Sequence, residues 1–189
     1  MSQVSQARAT LDDLMREPGK AELIGGRIVH LMPTGDVPSQ IGGNIYVSLR
    51  TYGKKTKRGV AYPDGTGFAV KPMLPSGRES FSPDAAFYTG RRPANRMRFL
   101  PEPPLFAVEV RSENDYGEAA EELMAEKRAD YFAAGTLVVW DVDPVNACIH
   151  VYRAGEPTAP TKYRSGEQAN AEPALPGWQM AVDEVFESQ

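Results

Sequence analysis

The chain has 189 residues, of which 25 are acidic and 21 basic, and its formal net charge is −4. This length fits a single domain with a sizeable core, and 41% hydrophobic with 24% charged residues excludes disordered and fibrous classes. The negative charge argues against a protein that holds nucleic acid by bulk positive charge. It is compatible with one that handles phosphates through a metal.

The cellular context is indicated by features that the sequence lacks. No apolar stretch reaches the roughly 18 residues of a membrane-spanning helix, and residues 1–6 do not combine a basic with an apolar region as a secretory signal does. Cys148 is the single cysteine, so no internal disulfide can form and a reducing compartment is favoured. We therefore expect a cytoplasmic protein that does not contact membranes.

Several familiar catalytic motifs are also missing. The two histidines and the cysteine show no zinc-binding spacing. The sequence contains no phosphate-binding P-loop, no complete dinucleotide-binding glycine motif and no nucleophile elbow. Candidate chemistry must therefore come from aspartate, glutamate and lysine.

Hydrophobic spacing and capping residues predict the elements of the first half of the chain. They are a short helix at 11–15 after a Thr10 cap, a hairpin at 21–32 turning at Gly25 and Gly26, a helix at 38–52 with one apolar stripe, and strands at 60–71 and 80–88. The basic run at 54–58 is typical of a solvated helix end, although it could also contact phosphates.

The second half predicts a strand–helix–strand unit. Its parts are a buried strand at 105–111, a helix at 118–134 and a buried strand at 136–142, followed by a strand at 147–153 and a final strand and short helix at 178–186. The stretch 154–176, rich in proline, glycine and alanine, predicts no element. We expect one α/β domain over residues 1–189, with a core at about 11–186, built as a mixed α+β sheet flanked by helices.

Glu109 is a polar residue in a core position. It interrupts the apolar run at 105–111, where a carboxylate must find a cation or a proton. Strand alternation places Glu109 and Arg111 on one face, opposite Phe106, Val108 and Val110. A structural pair between Glu109 and an arginine is the alternative to a functional role.

Lys127 is the second such residue. Helical periodicity places it in the middle of an apolar stripe, where a leucine is expected; the stripe consists of Ala120, Leu123, Met124, Tyr131 and Ala134. The alternative is a lysine whose stem packs while its amine reaches solvent.

Asp84 and Glu22 are two further candidates. Pro83 cannot donate to a sheet ladder, so Asp84 projects from an irregular point beside the sheet, where it could instead serve as a turn residue. Glu22 lies between Ala21 and Leu23 in the first predicted strand, a place where a charged residue is usually solvated.

The order of these residues resembles the PD-(D/E)XK nuclease superfamily and, within it, the Uma2-like or DUF820 family of restriction endonuclease-like proteins. The similarity covers about 11–186. Its segments are Glu22-Leu23-Ile24-Gly25-Gly26, Pro83-Asp84, Glu109-Val110-Arg111-Ser112, Lys127-Arg128-Ala129-Asp130-Tyr131, Trp140-Asp141-Val142-Asp143-Pro144 and Leu175-Pro176-Gly177-Trp178.

The resemblance implies a restriction endonuclease-like core in which Asp84 and Glu109 hold a divalent metal. Lys127 would be the catalytic lysine of the superfamily, moved from a strand to a helix, and Glu22 would support the same site. We expect Mg²⁺, with Mn²⁺ as a substitute and the Val110 carbonyl as a further ligand. Arg111 stands in the usual lysine position and could contact phosphate, since arginine does not act as a base.

The expected function is hydrolysis of DNA phosphodiester bonds, with weak, metal-dependent DNA binding. Since cutting both strands needs two active sites, we expect a homodimer. One alternative is a non-catalytic nucleic-acid-binding or interaction module that uses the basic segments 54–58 and 91–98, and whose DNA binding survives EDTA. The other is a phosphodiesterase for a small substrate, without affinity for long DNA.

Overall fold

The structure is a computed structural model that describes residues 8–71 and 74–187. Its helices are α1 (Leu11–Leu14), α2 (Asp36–Thr56), α3 (Glu118–Ala134) and α4 (Val182–Val185). Its strands are β1 (Ala21–Ile24), β2 (Arg27–His30), β3 (Val60–Pro63), β4 (Phe68–Ala69), β5 (Ser80–Phe81), β6 (Ala85–Tyr88), β7 (Phe106–Val110), β8 (Val138–Asp143), β9 (Cys148–Arg153), β10 (Glu156–Arg164), β11 (Gln168–Asn170) and β12 (Gln179–Ala181). No helix within these described ranges is long and apolar enough to cross a membrane.

A six-stranded mixed sheet forms the centre of the molecule, in the order β10-β9-β8-β7-β6-β3. The strands β7 and β8 are parallel and α3 connects them, whereas the other neighbours are antiparallel. This arrangement confirms the predicted mixed α+β sheet and its strand–helix–strand unit. The β1–β2 hairpin, also as predicted, turns at Gly25 and Gly26, whose positive φ angles suit a two-residue turn.

The sheet buries both of its faces. Along β7, Phe106, Val108 and Val110 belong to the larger core, which α2 and the C-terminal segment cover. Ala107 faces the smaller core, to which α3 contributes Tyr131. The alternation predicted for this strand is therefore confirmed, and it turns Glu109 toward the α3 side.

The predicted apolar stripe on α3 is confirmed only in part. Tyr131 is buried and Ala134 packs against the smaller core, but Leu123 is 67% exposed. The buried part of the helix also carries Arg128 and Asp130. Polar groups can be buried there because the sheet and the loop before β5 supply ion-pair partners for both.

Three other predictions also differ from the structure. The strand predicted at 80–88 is divided into β5 and β6, since Pro83 interrupts the ladder. The strand predicted at 60–71 likewise contains only the short β3 and β4. The stretch 154–176, for which no element was predicted, contains the nine-residue β10, which is almost wholly exposed at the sheet edge and so lacks an alternating hydrophobic pattern.

Candidate functional site

Asp84 is held at the end of the strand that carries Glu109. Its backbone N–H donates to the Val108 carbonyl at 3.0 Å, and its Oδ2 accepts a hydrogen bond of 2.7 Å from the Val110 N–H. These two bonds fix Asp84 against the carboxyl end of β7. The structure thus shows Asp84 tied to a strand, rather than only to a local turn.

Lys127 reaches the carboxylate of Glu109. Its Nζ donates to Glu109 Oε2 at 2.9 Å and lies 3.2 Å from Glu22 Oε1. Tyr131, one turn further along α3, donates from its hydroxyl to Glu109 Oε1 at 2.6 Å. The structure therefore joins Glu109 to a lysine, and the Lys127 amine points at two carboxylates rather than to solvent.

Glu22 is 2% exposed, so the expectation of a solvated residue early in a strand is wrong. Its carboxylate accepts from the Ser82 N–H at 2.9 Å and from the Arg78 guanidinium. Arg78 also donates from Nε to Asp130 Oδ2 at 3.0 Å. A buried charge needs such partners, and here two cations, Arg78 and Lys127, supply them.

The charges of this cluster shift the pKa values of its members in different directions. Burial raises the pKa of Glu109, and the nearby carboxylates Asp84 and Glu22 raise it further. Burial alone would also raise the pKa of Glu22, but Lys127 and Arg78 outweigh it and lower that pKa. Although burial disfavours the charged form of Lys127, Glu109 and Glu22 raise its pKa. Lys127 is therefore a cation at neutral pH.

Lys20 is a second lysine at the site, and the sequence analysis did not single it out. Its Nζ lies 2.9 Å from Asp84 Oδ1 and 2.6 Å from Asp64 Oδ1. Burial opposes its charge, but Asp84 and Asp64 raise the pKa of Lys20. The available signal was its place two residues before Glu22, since alternate residues of an extended chain share a face.

Arg111 lies in a separate ion-pair network. Its guanidinium donates two bonds of 2.7 Å to Asp141, which is fully buried, and one of 2.8 Å to Glu121. Arg128 pairs with the same two acids. The structure therefore gives Arg111 carboxylate partners other than Glu109, and its predicted phosphate contact stays a prediction.

A pocket of about 450 Å³ lies over the carboxylate cluster between the β1–β2 hairpin and α3. Glu22, Glu109 and Lys127 line its floor, while Val29 and Leu123 line it with exposed apolar side chains. A smaller cavity of about 180 Å³ adjoins Asp84 on the side of α2. The carboxylates are accordingly reachable from two directions.

The oxygen donors of Asp84 and Glu109 suit a hard divalent cation. Mg²⁺ binds through one or two carboxylates and completes its shell with waters and substrate phosphates. Among the residues that the structure describes, no group of three or more histidines, cysteines, aspartates or glutamates is arranged to hold a metal ion. The candidate metal ligands are only two carboxylates, those of Asp84 and Glu109, together with the Val110 carbonyl. These oxygen donors are of the kind that Mg²⁺ prefers.

The fold of the chain is similar to that of a solved protein structure. It is similar to the crystal structure of "a putative nuclease belonging to DUF820" from Anabaena variabilis ATCC 29413, with a TM-score of 0.71 and 18% sequence identity over 94% of this chain and 97% of that chain. At this identity the likeness establishes the fold.

The family follows from the sequence of the whole domain. The model of the Uma2 family, described as "Putative restriction endonuclease", matches residues 8–183. The chain therefore belongs to the Uma2 family, which confirms the resemblance found in its motifs. Comparison with curated proteins gives no match.

Proposed function

We propose that the protein is a metal-dependent endonuclease that hydrolyses DNA phosphodiester bonds. The observation that carries this proposal is the convergence of Lys127 on Glu109 and Glu22, beside an Asp84 that is hydrogen-bonded to the strand of Glu109. Membership of a family described as "Putative restriction endonuclease" supports the choice of substrate.

In this proposal Asp84, Glu109 and the Val110 carbonyl would hold Mg²⁺, with Mn²⁺ as a substitute. A metal bound there would supply a water of lowered pKa and polarise the scissile phosphate. Lys127 places a fixed ammonium where negative charge develops on the phosphate during hydrolysis. Glu22 keeps that ammonium charged and positioned, and Tyr131 orients the Glu109 carboxylate through its hydroxyl.

The test is cleavage of supercoiled plasmid DNA with Mg²⁺ or Mn²⁺, and with EDTA. We expect Glu109→Gln and Lys127→Met each to reduce cleavage at least about 100-fold, since each removes a charge on which the chemistry depends. Glu122→Gln on the exposed face of α3 and Lys162→Met on β10 are matched charge controls and should retain activity. Circular dichroism checks that each variant is folded.

Full activity in Glu109→Gln or Lys127→Met would contradict the proposed site. DNA binding that survives both EDTA and Asp84→Asn, without cleavage, would favour the non-catalytic binding module. Turnover of bis(4-nitrophenyl) phosphate without affinity for long DNA would favour the small-substrate phosphodiesterase. Sedimentation of the wild-type protein with and without DNA tests the proposed homodimer.

A further inference from the structure

One face of α2 lines two adjoining surface hollows. Ser39, Gly43 and Tyr46 line the cavity beside Asp84. Tyr46 also lines the second hollow, of about 440 Å³, together with Arg50 and Lys54. Since these residues follow one another every three to four positions, they form a continuous stripe along the helix. We call this the α2 stripe: Ser39, Gly43, Tyr46, Arg50 and Lys54, continued by the cap residue Lys57.

The α2 stripe runs beside the edge strand of the central sheet. Pro63 and Asp64 line the first hollow, and Val60 and Ala61 line the second. The strand β3 is the last in the sheet order, and its Pro63 pairs with Ala85, the residue after Asp84. The two hollows share Tyr46 and lie along the same sheet edge, the first beside Asp84 and the second further from it; together we call them the groove.

The far end of the groove is positively charged. Arg50, Lys54 and Lys57 are exposed, and no ion pair involves them within the described part of the chain. The lysines near the active site, Lys20 and Lys127, each contact two carboxylates instead. The charge of the groove is thus available to a ligand.

The basic residues of the groove could stabilise the C-terminal end of α2, but this explains only some of them. Cations favour the C-terminal end of a helix, but the effect falls off within the last turn. Lys54 and Lys55 lie in the last turn of α2, whereas Arg50 lies before it. The helix dipole therefore does not account for Arg50, which lies in the groove with its charge exposed.

We propose that the α2 stripe is a track for the backbone of a DNA duplex, along which Arg50, Lys54 and Lys57 contact successive phosphates. This inference rests on the proposed function and extends it to the way in which the substrate is held. From Ser39 to Lys57 the stripe is about 27 Å long at about 1.5 Å per residue. This length corresponds to about eight nucleotides along one strand of B-DNA. The cations of the track offset the repulsion between phosphates and the acidic active site.

The test compares adjacent lysines that carry the same charge. Lys54 lines the groove, while Lys55 is equally exposed and lies about 100° further around the helix, outside the residues that line it. Binding of a short fluorescein-labelled duplex is measured by anisotropy in Ca²⁺ at several salt concentrations. We expect Arg50→Gln/Lys54→Gln to bind at least about tenfold more weakly, and the slope of log K against log salt to fall by about 0.9 for each lost contact. Lys55→Gln should keep the wild-type slope.

The outcomes separate this inference from the proposed function. If the wild type cleaves plasmid DNA and Lys54→Gln and Lys55→Gln weaken binding equally, the track is overturned while the nuclease stands. If Arg50→Gln/Lys54→Gln loses DNA binding while Lys55→Gln keeps it, but the wild type does not cleave DNA, the track stands and the proposed activity fails. A wild type that neither binds nor cleaves DNA overturns both.

Discussion

At the scale of single residues, charge in an apolar setting was the most informative signal. Glu109 and Lys127 were singled out because a core strand and a helix centre are costly places for unpaired charges. The structure joins their side chains at 2.9 Å. Arg78 and Lys20 were missed because both lie outside the strands and helices. For Lys20 a signal existed, since it lies two residues before Glu22 and alternate residues of an extended chain share a face.

Glu22 provides a pH-dependent test of the buried cluster. Although burial opposes it, Lys127 and Arg78 lower its pKa in the folded protein below the usual 4.5. A lowered carboxyl pKa contributes stability above the unfolded value, and this stability is lost as the pH falls through the folded-state value. We expect Glu22→Gln to reduce the free energy of unfolding by about 3 kcal/mol near neutral pH, because it leaves two buried cations undercompensated.

Urea denaturation of wild type and Glu22→Gln at neutral and acidic pH checks this prediction. The difference in stability between them should shrink as the pH falls below 4.5, the ordinary glutamate value. Glu122→Gln, on the exposed side of α3, should match the wild type throughout. A Glu22→Gln difference that is independent of pH would argue against a lowered pKa.

At the scale of helices and strands, the sequence predicted where α3 begins and ends better than it predicted which side of the helix is buried. The helix predicted at 118–134 coincides with α3, because glycines flank it at both ends. Its buried face was predicted only in part, since Tyr131 is buried but Leu123 points to solvent. Arg128 and Asp130, which were not expected to be buried, pair with the rest of the protein. Long-range ion pairs had overridden the local hydrophobic pattern.

Two glycines of α2 should respond differently to the same substitution. A Cβ at Gly42 would lie 3.5 Å from the Asp84 carbonyl oxygen, an ordinary contact. At Gly53 it would lie 3.0 Å from the Gly59 carbonyl oxygen and 3.1 Å from the Phe87 ring, closer than packed atoms allow without movement. We expect Gly42→Ala to stabilise the protein by up to about 1 kcal/mol through helix propensity.

Gly53→Ala gains the same helix propensity, but it forces the Gly59 backbone or the Phe87 ring to shift. We therefore expect it to be less stable than Gly42→Ala by about 1–3 kcal/mol. Urea denaturation of the two variants measures this difference directly. Equal stabilities would contradict the close packing of α2 against β3 and β6.

At the scale of the whole molecule, the larger core links α2 and the central sheet to the C-terminal segment. The larger core includes Ile41 and Ile45 of α2, Trp140 of β8, and Trp178 and Val185 near the C-terminus. The rings of Trp140 and Trp178 lie 5.0 Å apart. These contacts support the proposal that the chain folds as a single domain.

A single domain should unfold in one cooperative transition. We expect tryptophan fluorescence, which reports the Trp140–Trp178 pair, and far-ultraviolet circular dichroism, which reports all elements, to give the same urea midpoint. An earlier fluorescence midpoint would show that the C-terminal segment detaches on its own. Phe106→Ala serves as a control for the probes, because removing a buried ring that contacts both tryptophans should lower both midpoints together.

The sequence by itself determined the family, the mixed sheet with its strand–helix–strand unit, and the residues Glu22, Asp84, Glu109 and Lys127 as candidates. The order of the motifs indicates the family, and the alternation of apolar residues indicates the strands; both can be read from neighbouring positions along the chain. Only the tertiary structure decided which charges meet: Arg78 reaches Glu22 across 56 positions and Lys20 reaches Asp84 across 64. It also decided that Glu22 and Glu109 meet at the carboxylate site, whereas the α2 cations lie along the groove without an ion-pair partner among the described residues. The physical reason is that Coulomb attraction acts through space, so its partners follow from the fold and not from spacing along the chain.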